Sequence, residues 1–365
     1  MHDREPVSRL IRPSEFDDCL RWGLARCEPS WTAEPPRSDR TLRQLLNCGD
    51  GQADQRSILA AGTFGPAGLQ TLAIVRQVAG GSATVVLLAS DERFEAARST
   101  SDPLAGLLRP LLGRLRERGV TFLQASAVDT SQAERLRLCG FRRLAELSVL
   151  CLDPDDFTAA IATAQNARES IRKRRPVATW DWLPLNELAA DGTERVATAL
   201  AATFRQTLDC PRLGRLRTTD EIIRGFLHWP SLDREWSRLL RVDGQDIGCL
   251  LLSRHAVAEA KPIGVTEAKP IEHTEAEPIG AVETEPIEGS GPLMELSYLG
   301  ITPAYRGQRW GFEVVAETLR VARLAGVTAV VLAVDRENAP AVAIYRFLGF
   351  RESERESVWG RRVSG

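Results

Sequence analysis

The sequence predicts an α/β (α+β) chain made of two tandem copies of one mixed-sheet fold, the second interrupted by a disordered, proline-rich insert. Three observations carry this. Short apolar runs suited to strands alternate with longer stretches of helical spacing. Ala127-Val128-Asp129 and Gly140-Phe141-Arg142 recur as Ala333-Val334-Asp335 and Gly349-Phe350-Arg351, and the two sets align with a three-residue gap. Residues 258–289 read as four octapeptides, AEAKPIGV, TEAKPIEH, TEAEPIGA and VETEPIEG, each with Pro fifth and Ile sixth.

The elements follow in chain order. Ile58–Phe64, Leu69–Val78 and Thr84–Ala89 read as consecutive strands, separated by Gly65-Pro66-Ala67-Gly68 and Gly80-Gly81. Ser101-Asp102-Pro103 starts a helix over Leu104–Arg118, and Gly119 stops it. Thr121–Val128 is the next strand, and a short helical stretch leads to Gly140. In the second copy Trp236–Val242 and Gln245–Ser253 flank Asp243-Gly244, a hairpin turn. Leu293–Ile301 is a strand, Trp310–Ala325 a helix ended by Gly326, and Ala329–Val334 a buried strand. Arg351–Val363 reads as a closing antiparallel strand.

These elements divide the chain into a first copy at 8–152, a linker at 153–176 and a second copy at 177–365, with the insert at 256–290. A proline every eight residues excludes a helix or a central strand from the insert. Its few bulky apolar groups do not offset ordering entropy, so a mobile tract is expected, with a partner-docking tether as the alternative. The linker holds the basic cluster Arg172-Lys173-Arg174-Arg175; a solvated segment is the expectation, a nucleic-acid contact the alternative.

Composition narrows the function. With 47 Lys plus Arg against 49 Asp plus Glu, the net charge of −2 offers no broad field for nucleic acid or an anionic membrane. No apolar run approaches the ~20 residues of a membrane span, and the charged start Met-His-Asp-Arg-Glu-Pro precedes no apolar signal core. Seven cysteines without a CxxC imply reduced thiols, and four histidines without ligand spacing imply no metal. A cytoplasmic protein is the expectation.

The chemistry concentrates in Met294–Gly311, MELSYLGITPAYRGQRWG. A strand ends at Ile301, Arg306 and Gly307 form a loop, and Gly311 opens the next helix. Free amides and a partial positive charge at that helix start make a pocket for a pyrophosphate, to which Arg306 can add charge-assisted hydrogen bonds. A dinucleotide-binding unit would show G-x-G-x-x-G, which is absent.

Met294–Gly311 with AVDRENAPAVAIYRFLGF resembles the acetyl-CoA-dependent GNAT acyltransferases. Leu208-Asp209-Cys210-Pro211 and Arg217-Thr218 are similar to a GNAT subgroup of planctomycete bacteria, and the tandem layout resembles the mycothiol synthase family. The strong resemblance covers roughly 177–365 without the insert; residues 8–152 resemble the fold only weakly.

The resemblance implies roles. Arg306, Gly307, Gln308 and Gly311, with Arg309 and Trp310 between them, form the loop that cradles the CoA pyrophosphate. Leu299 and Ile301 end the strand that pairs with pantetheine. Asn338 contacts the cofactor, Tyr345 protonates the departing thiolate, and Glu295 is the base. Arg309 departs from the pattern by standing where the family's middle glycine is usual. As plain sequence, Tyr345 also reads as a core aromatic, Glu295 as an edge residue and Asn338 as a helix cap compatible with cofactor contact. The implied reaction is acetyl transfer from acetyl-CoA, without a metal, to a small-molecule amine or a peptide N-terminus by direct attack. The alternative is a non-catalytic acyl-CoA-binding or scaffold protein. The first copy has neither R-G-x-x-x-G nor the tyrosine, whose position falls on Leu136, and is expected to be structural or acceptor-shaping.

Overall fold

The computed structural model describes residues 6–26, 57–91, 103–172, 179–188, 192–229, 231–255 and 292–363. The octapeptide tract and Lys173–Pro176 lie outside the described residues. The strands are β1 (Val7–Leu10), β2 (Ile58–Gly65), β3 (Gly68–Val78), β4 (Ser82–Ser90), β5 (Phe122–Ala127), β6 (Arg142–Leu152), β7 (Trp180–Pro184), β8 (Arg238–Val242), β9 (Gln245–His255), β10 (Leu293–Ile301), β11 (Ala329–Asp335) and β12 (Arg351–Arg362). The α-helices among the described residues are α1 (Phe16–Leu24), α2 (Pro103–Glu117), α3 (Thr130–Leu138), α4 (Pro154–Arg172), α5 (Gly192–Phe204), α6 (Thr219–Leu227), α7 (Trp310–Leu324) and α8 (Ala339–Phe347).

The strands form one sheet, in the order β1-β2-β3-β4-β5-β12-β6-β11-β10-β9-β8-β7. Each copy places its closing strand beside the other copy. The first copy's β6 pairs with β11, and the second copy's β12 lies antiparallel between β5 and β6. The two folds are thus joined through the middle of a continuous sheet, with Leu150, Leu152, Val330 and Leu332 buried at the join. Each such side chain contributes ~1.5–3 kcal/mol by leaving water.

The segment after β6, read from sequence as a solvated linker, is largely helical. Phe157, Ala160, Ile161 and Ala164 fall at i, i+3, i+4 and i+7, one helical stripe. They join Val314, Val315 and Leu319 of α7 in the core on one face of the sheet. Acidic groups at the start of α4 obscure that stripe in the sequence.

The opposite face of the second copy carries α5 and α6 over Leu239, Cys249, Leu251 and Tyr298. The connection between these helices docks on the first copy. Leu213 and Leu216 pack on Phe122, Leu144 and Val358. The Arg217 guanidinium donates to the Gly80 carbonyl at 3.1 Å, and Thr121 donates to Glu221 at 2.9 Å. Gly80 has φ +76°, and a Cβ there would lie 2.2 Å from the Glu221 carbonyl oxygen, so only glycine fits this turn against α6. No helix among the described residues is long and apolar enough to cross a membrane.

Candidate active site

Two parallel strands that part create the site. β10 and β11 pair only at Leu293–Glu295 with Ala329–Val331, yet β10 runs on to Ile301 and β11 to Asp335. The cause lies on the other edge of β10. Leu296 and Tyr298 oppose consecutive residues of β9, so Ser297 is an extra residue in the ladder. A bulge of this kind bends its strand and increases its twist. Beyond it, the β10 edge facing β11 has no strand partner, which leaves peptide groups available along the gap.

The gap is a cleft of about 460 Å³. Of the residues singled out in the sequence, Leu299, Ile301, Arg306, Gly307, Arg309, Trp310, Gly311, Asn338 and Tyr345 line it. Gln308 and Glu295 do not. The Gln308 side chain folds back, its Nε2 donating to the Ala304 carbonyl at 3.0 Å. Glu295 sits at the paired end of β10, hydrogen-bonded to His255 Nε2 at 2.8 Å.

One end of the cleft is built by the turn into α7. Gly307 has φ +73° and Arg309 φ +60°, both left-handed. The Arg309 position therefore wants a glycine, and a side chain there costs ~1–2 kcal/mol. The Arg309 guanidinium offsets part of this by donating to the Ala167 carbonyl of α4 at 2.7 Å. It points onto a neighbouring helix and leaves the backbone of the turn in place. Gly311 follows in the first turn of α7, where helix geometry supplies no carbonyl for its amide. A Cβ on Gly311 would lie 2.8 Å from Ile344 Cδ1, so glycine lets α8 approach closely.

Arg306 has a different task from the one its charge implied. Its guanidinium donates to the carbonyls of Ile301, Thr203, Arg205 and Gln206 at 2.7–2.9 Å. It closes the C-terminus of α5 and ties that helix to the end of β10. The side chain expected at a pyrophosphate thus donates to four backbone carbonyls at the edge of the cleft. Trp310 is buried and packs edge-on to Trp180 at 6.4 Å, anchoring α7 in the core.

The other end of the cleft belongs to α8. Asn338 caps it, Oδ1 accepting from the Ala341 amide, with Pro340 in the first turn. Tyr345 is only 6% exposed and stands edge-on to Phe350 at 5.6 Å. The residue lines the cleft, and its hydroxyl makes no hydrogen bond among the described residues. Burial, reinforced by the nearby Asp209 charge, pushes the phenol well above its usual range, so it stays protonated.

A carboxylate pair whose meeting the sequence did not show lies beside Tyr345. The Asp335 amide donates to Asp209 Oδ1 at 3.1 Å, and the Cys210 amide returns a bond to Asp335 Oδ2 at 3.0 Å. Asp335 also accepts from the Glu337 amide. Asp209 lines the cleft, and loss of water raises its carboxyl above the ordinary range. The available signal was Asp209-Cys210-Pro211, a polar step before proline; its Cys210 takes the left-handed φ of +45°. Among the described residues, no three His, Cys, Asp or Glu side chains converge as metal ligands would.

The parting of β10 and β11, with a helix start at one end of the gap and a buried phenol at the other, gives this α/β fold an equipped cleft. Residues 227–350 match the model of the acetyltransferase (GNAT) family. A 70-residue stretch is 37% identical to mycothiol acetyltransferase of Thermobifida fusca (strain YX), covering 19% of this chain and 22% of that protein. Over 67 residues the chain is 39% identical to mycothiol acetyltransferase of Corynebacterium glutamicum (strain R), 18% of this chain and 23% of that one. The match thus spans less than a quarter of either curated relative. The fold is similar to that of a GCN5-related N-acetyltransferase from Sphaerobacter thermophilus, at TM-score 0.50 and 15% identity, over 98% of this chain and 96% of the other. The match to the GNAT acetyltransferase family lies within the second copy.

Proposed function

We propose that this chain transfers an acetyl group from acetyl-CoA to an amine, by direct attack, in the cleft between β10 and β11. The observation that supports this most is the union, in one cleft, of unpaired β10 backbone, the turn into α7 and the unbonded Tyr345 hydroxyl. The residues suit the cosubstrate. The Gly307–Gly311 turn offers backbone donors and the positive end of α7 to a pyrophosphate. The free β10 edge at Leu299 and Ile301 offers ladder hydrogen bonds to an amide-bearing pantetheine arm. Asn338 and α8 close the other wall.

Acetyl-CoA supplies an activated thioester; the protein aligns it and moves protons. Backbone N–H groups of β10 stabilise charge developing on the carbonyl oxygen, often the largest catalytic contribution. Tyr345, held protonated, donates its proton to the leaving sulfur. The amine proton departs along the open sheet face, where Glu295 and His255 form a hydrogen-bonded pair that accepts it through water. The test combines CoA titration with turnover. Binding with release of free thiol supports the reading, while binding without turnover for any amine supports the acyl-CoA-binding alternative.

A further inference from the structure

The sheet face beside the cleft carries unneutralised negative charge. Register fixes which side chains share it. Glu295 pairs with Val331, so its side chain lies on the same face as Val331, Ala333 and Asp335. Asp335 is level with Leu147 of β6, and Leu147 with Glu356 of β12. The bulge at Ser353 brings Glu354 to the same face, opposite Val149. Ala333 is exposed at mid-strand, so this part of the sheet is uncovered. Asp209 closes the end nearest Tyr345.

Basic groups on this face are already engaged. His255 bonds Glu295, and Arg351 pairs with Asp153 and Asp156. Among the described residues, Asp209, Glu354 and Glu356 make no ion pair. Lost water chiefly, opposed by a hydrogen bond from Ser126 and aided by the charges of Glu354 and Glu295, pushes the Glu356 carboxyl up. The carboxylates do not converge as metal ligands would. They are spread along a face, as an extended cation requires. An independent feature marks where the reacting end belongs: Tyr345 is 6% exposed and lines the adjoining cleft, and its hydroxyl has no hydrogen bond among the described residues.

We propose that the acceptor is a small di- or polyamine, whose reacting nitrogen meets Tyr345 and Asp209 while a second ammonium rests between Glu354 and Glu356. This rests on the acetyl-transfer reading above and adds the acceptor class to it. Two strand spacings separate Asp335 from Glu356, so the second charge lies roughly 10 Å from the reacting end. In the step itself, a C–N bond forms as the C–S bond breaks. The amine proton passes to the Glu295–His255 side, and the sulfur leaves with the Tyr345 proton.

The test measures thiol release by the full-length chain with a diamine, a monoamine of the same carbon length and the corresponding ω-amino acid. The proposal requires kcat/KM to be at least about tenfold higher for the diamine than for the monoamine, with the amino acid lowest. Glu356→Gln lowers the diamine-to-monoamine preference about tenfold, through KM rather than kcat. Equal rates for the three acceptors, preference for the amino acid, or an unchanged preference in Glu356→Gln overturns it. Calorimetry of the diamine on CoA-saturated protein reads the same site without turnover. Heat that weakens in Glu356→Gln supports the proposal, and absence of heat contradicts it. CoA binding is measured separately, so failure of the cosubstrate reading is told apart from failure of this one.

Discussion

The two copies share a backbone device and differ in what they attach to it. In the second, β10 and β11 pair over three residues and part, with Ser297 as the extra residue four positions after the first paired one. In the first, β4 and β5 pair only at Ser82–Thr84 with Phe122–Gln124. Val86, again four positions after the first paired residue, is skipped in the ladder with β3. Bulge and splay recur at the same register, yet the first copy has Leu136, 3% exposed in its core, where the second has Tyr345. Its sequence after β4 also lacks R-G-x-x-x-G. The parting of strands is thus common to both copies, and the groups at its ends differ. The first copy retains a mechanical task, since its Gly80 turn and β5 support the loop that carries Asp209.

Disturbing that support gives the largest expected effect. Gly80→Ala combines a left-handed backbone with a clash against α6, so a loss of about 3 kcal/mol is expected, read as a fall of roughly 5 °C or more in Tm. If the first copy shapes the acceptor side, the acceptor KM rises while CoA affinity holds. An equal loss of both would show that the copies are not specialised in this way. Next comes Tyr345→Phe, expected to lower kcat about 100-fold with CoA affinity unchanged; stopped-flow thiol release reads it, and an unaltered kcat removes Tyr345 from the chemistry. Arg306→Ala is expected to cost about 2 kcal/mol, because the carbonyls at the end of α5 lose a charged donor but regain water. Denaturant unfolding measures this, and its prediction is a stability defect larger than any CoA-binding defect.

The smallest effect concerns pH. The Glu356 carboxyl is raised in the folded protein, so the folded state holds that proton more tightly than the unfolded chain does. Its contribution is favourable below the ordinary carboxylate pKa and is lost as pH rises through the raised one. Glu356→Gln removes this dependence. Relative to the variant, the wild-type protein therefore loses stability between acidic and neutral pH, and parallel unfolding curves at the two pH values would contradict the assignment.

Much of the frame was legible in the sequence because it is written locally. Apolar runs gave the strands, Gly119 and Gly326 the helix ends, and Asp243-Gly244 the hairpin. The loop after Ile301 was legible through its glycines and the helix pattern that follows. What escaped depends on distant partners. The polar strand RESERESVWGRR carries no mark of its place between β5 and β6. Asp209 and Asp335 meet across 126 residues. Arg306 read as an anion ligand because its charge is visible and the carbonyls of α5 are not. Glu295 matched a strand position, but where the bulge and the parting of β10 fall leaves it outside the cleft lining.

The central claim is that one copy, and only one, holds a nucleotide thioester. Titration calorimetry of CoA into the full chain tests this most directly. A single equivalent bound per chain is expected, weakened in Gly311→Glu by a carboxylate set beside the phosphates. Two equivalents, or no heat at millimolar CoA and low salt, would contradict it.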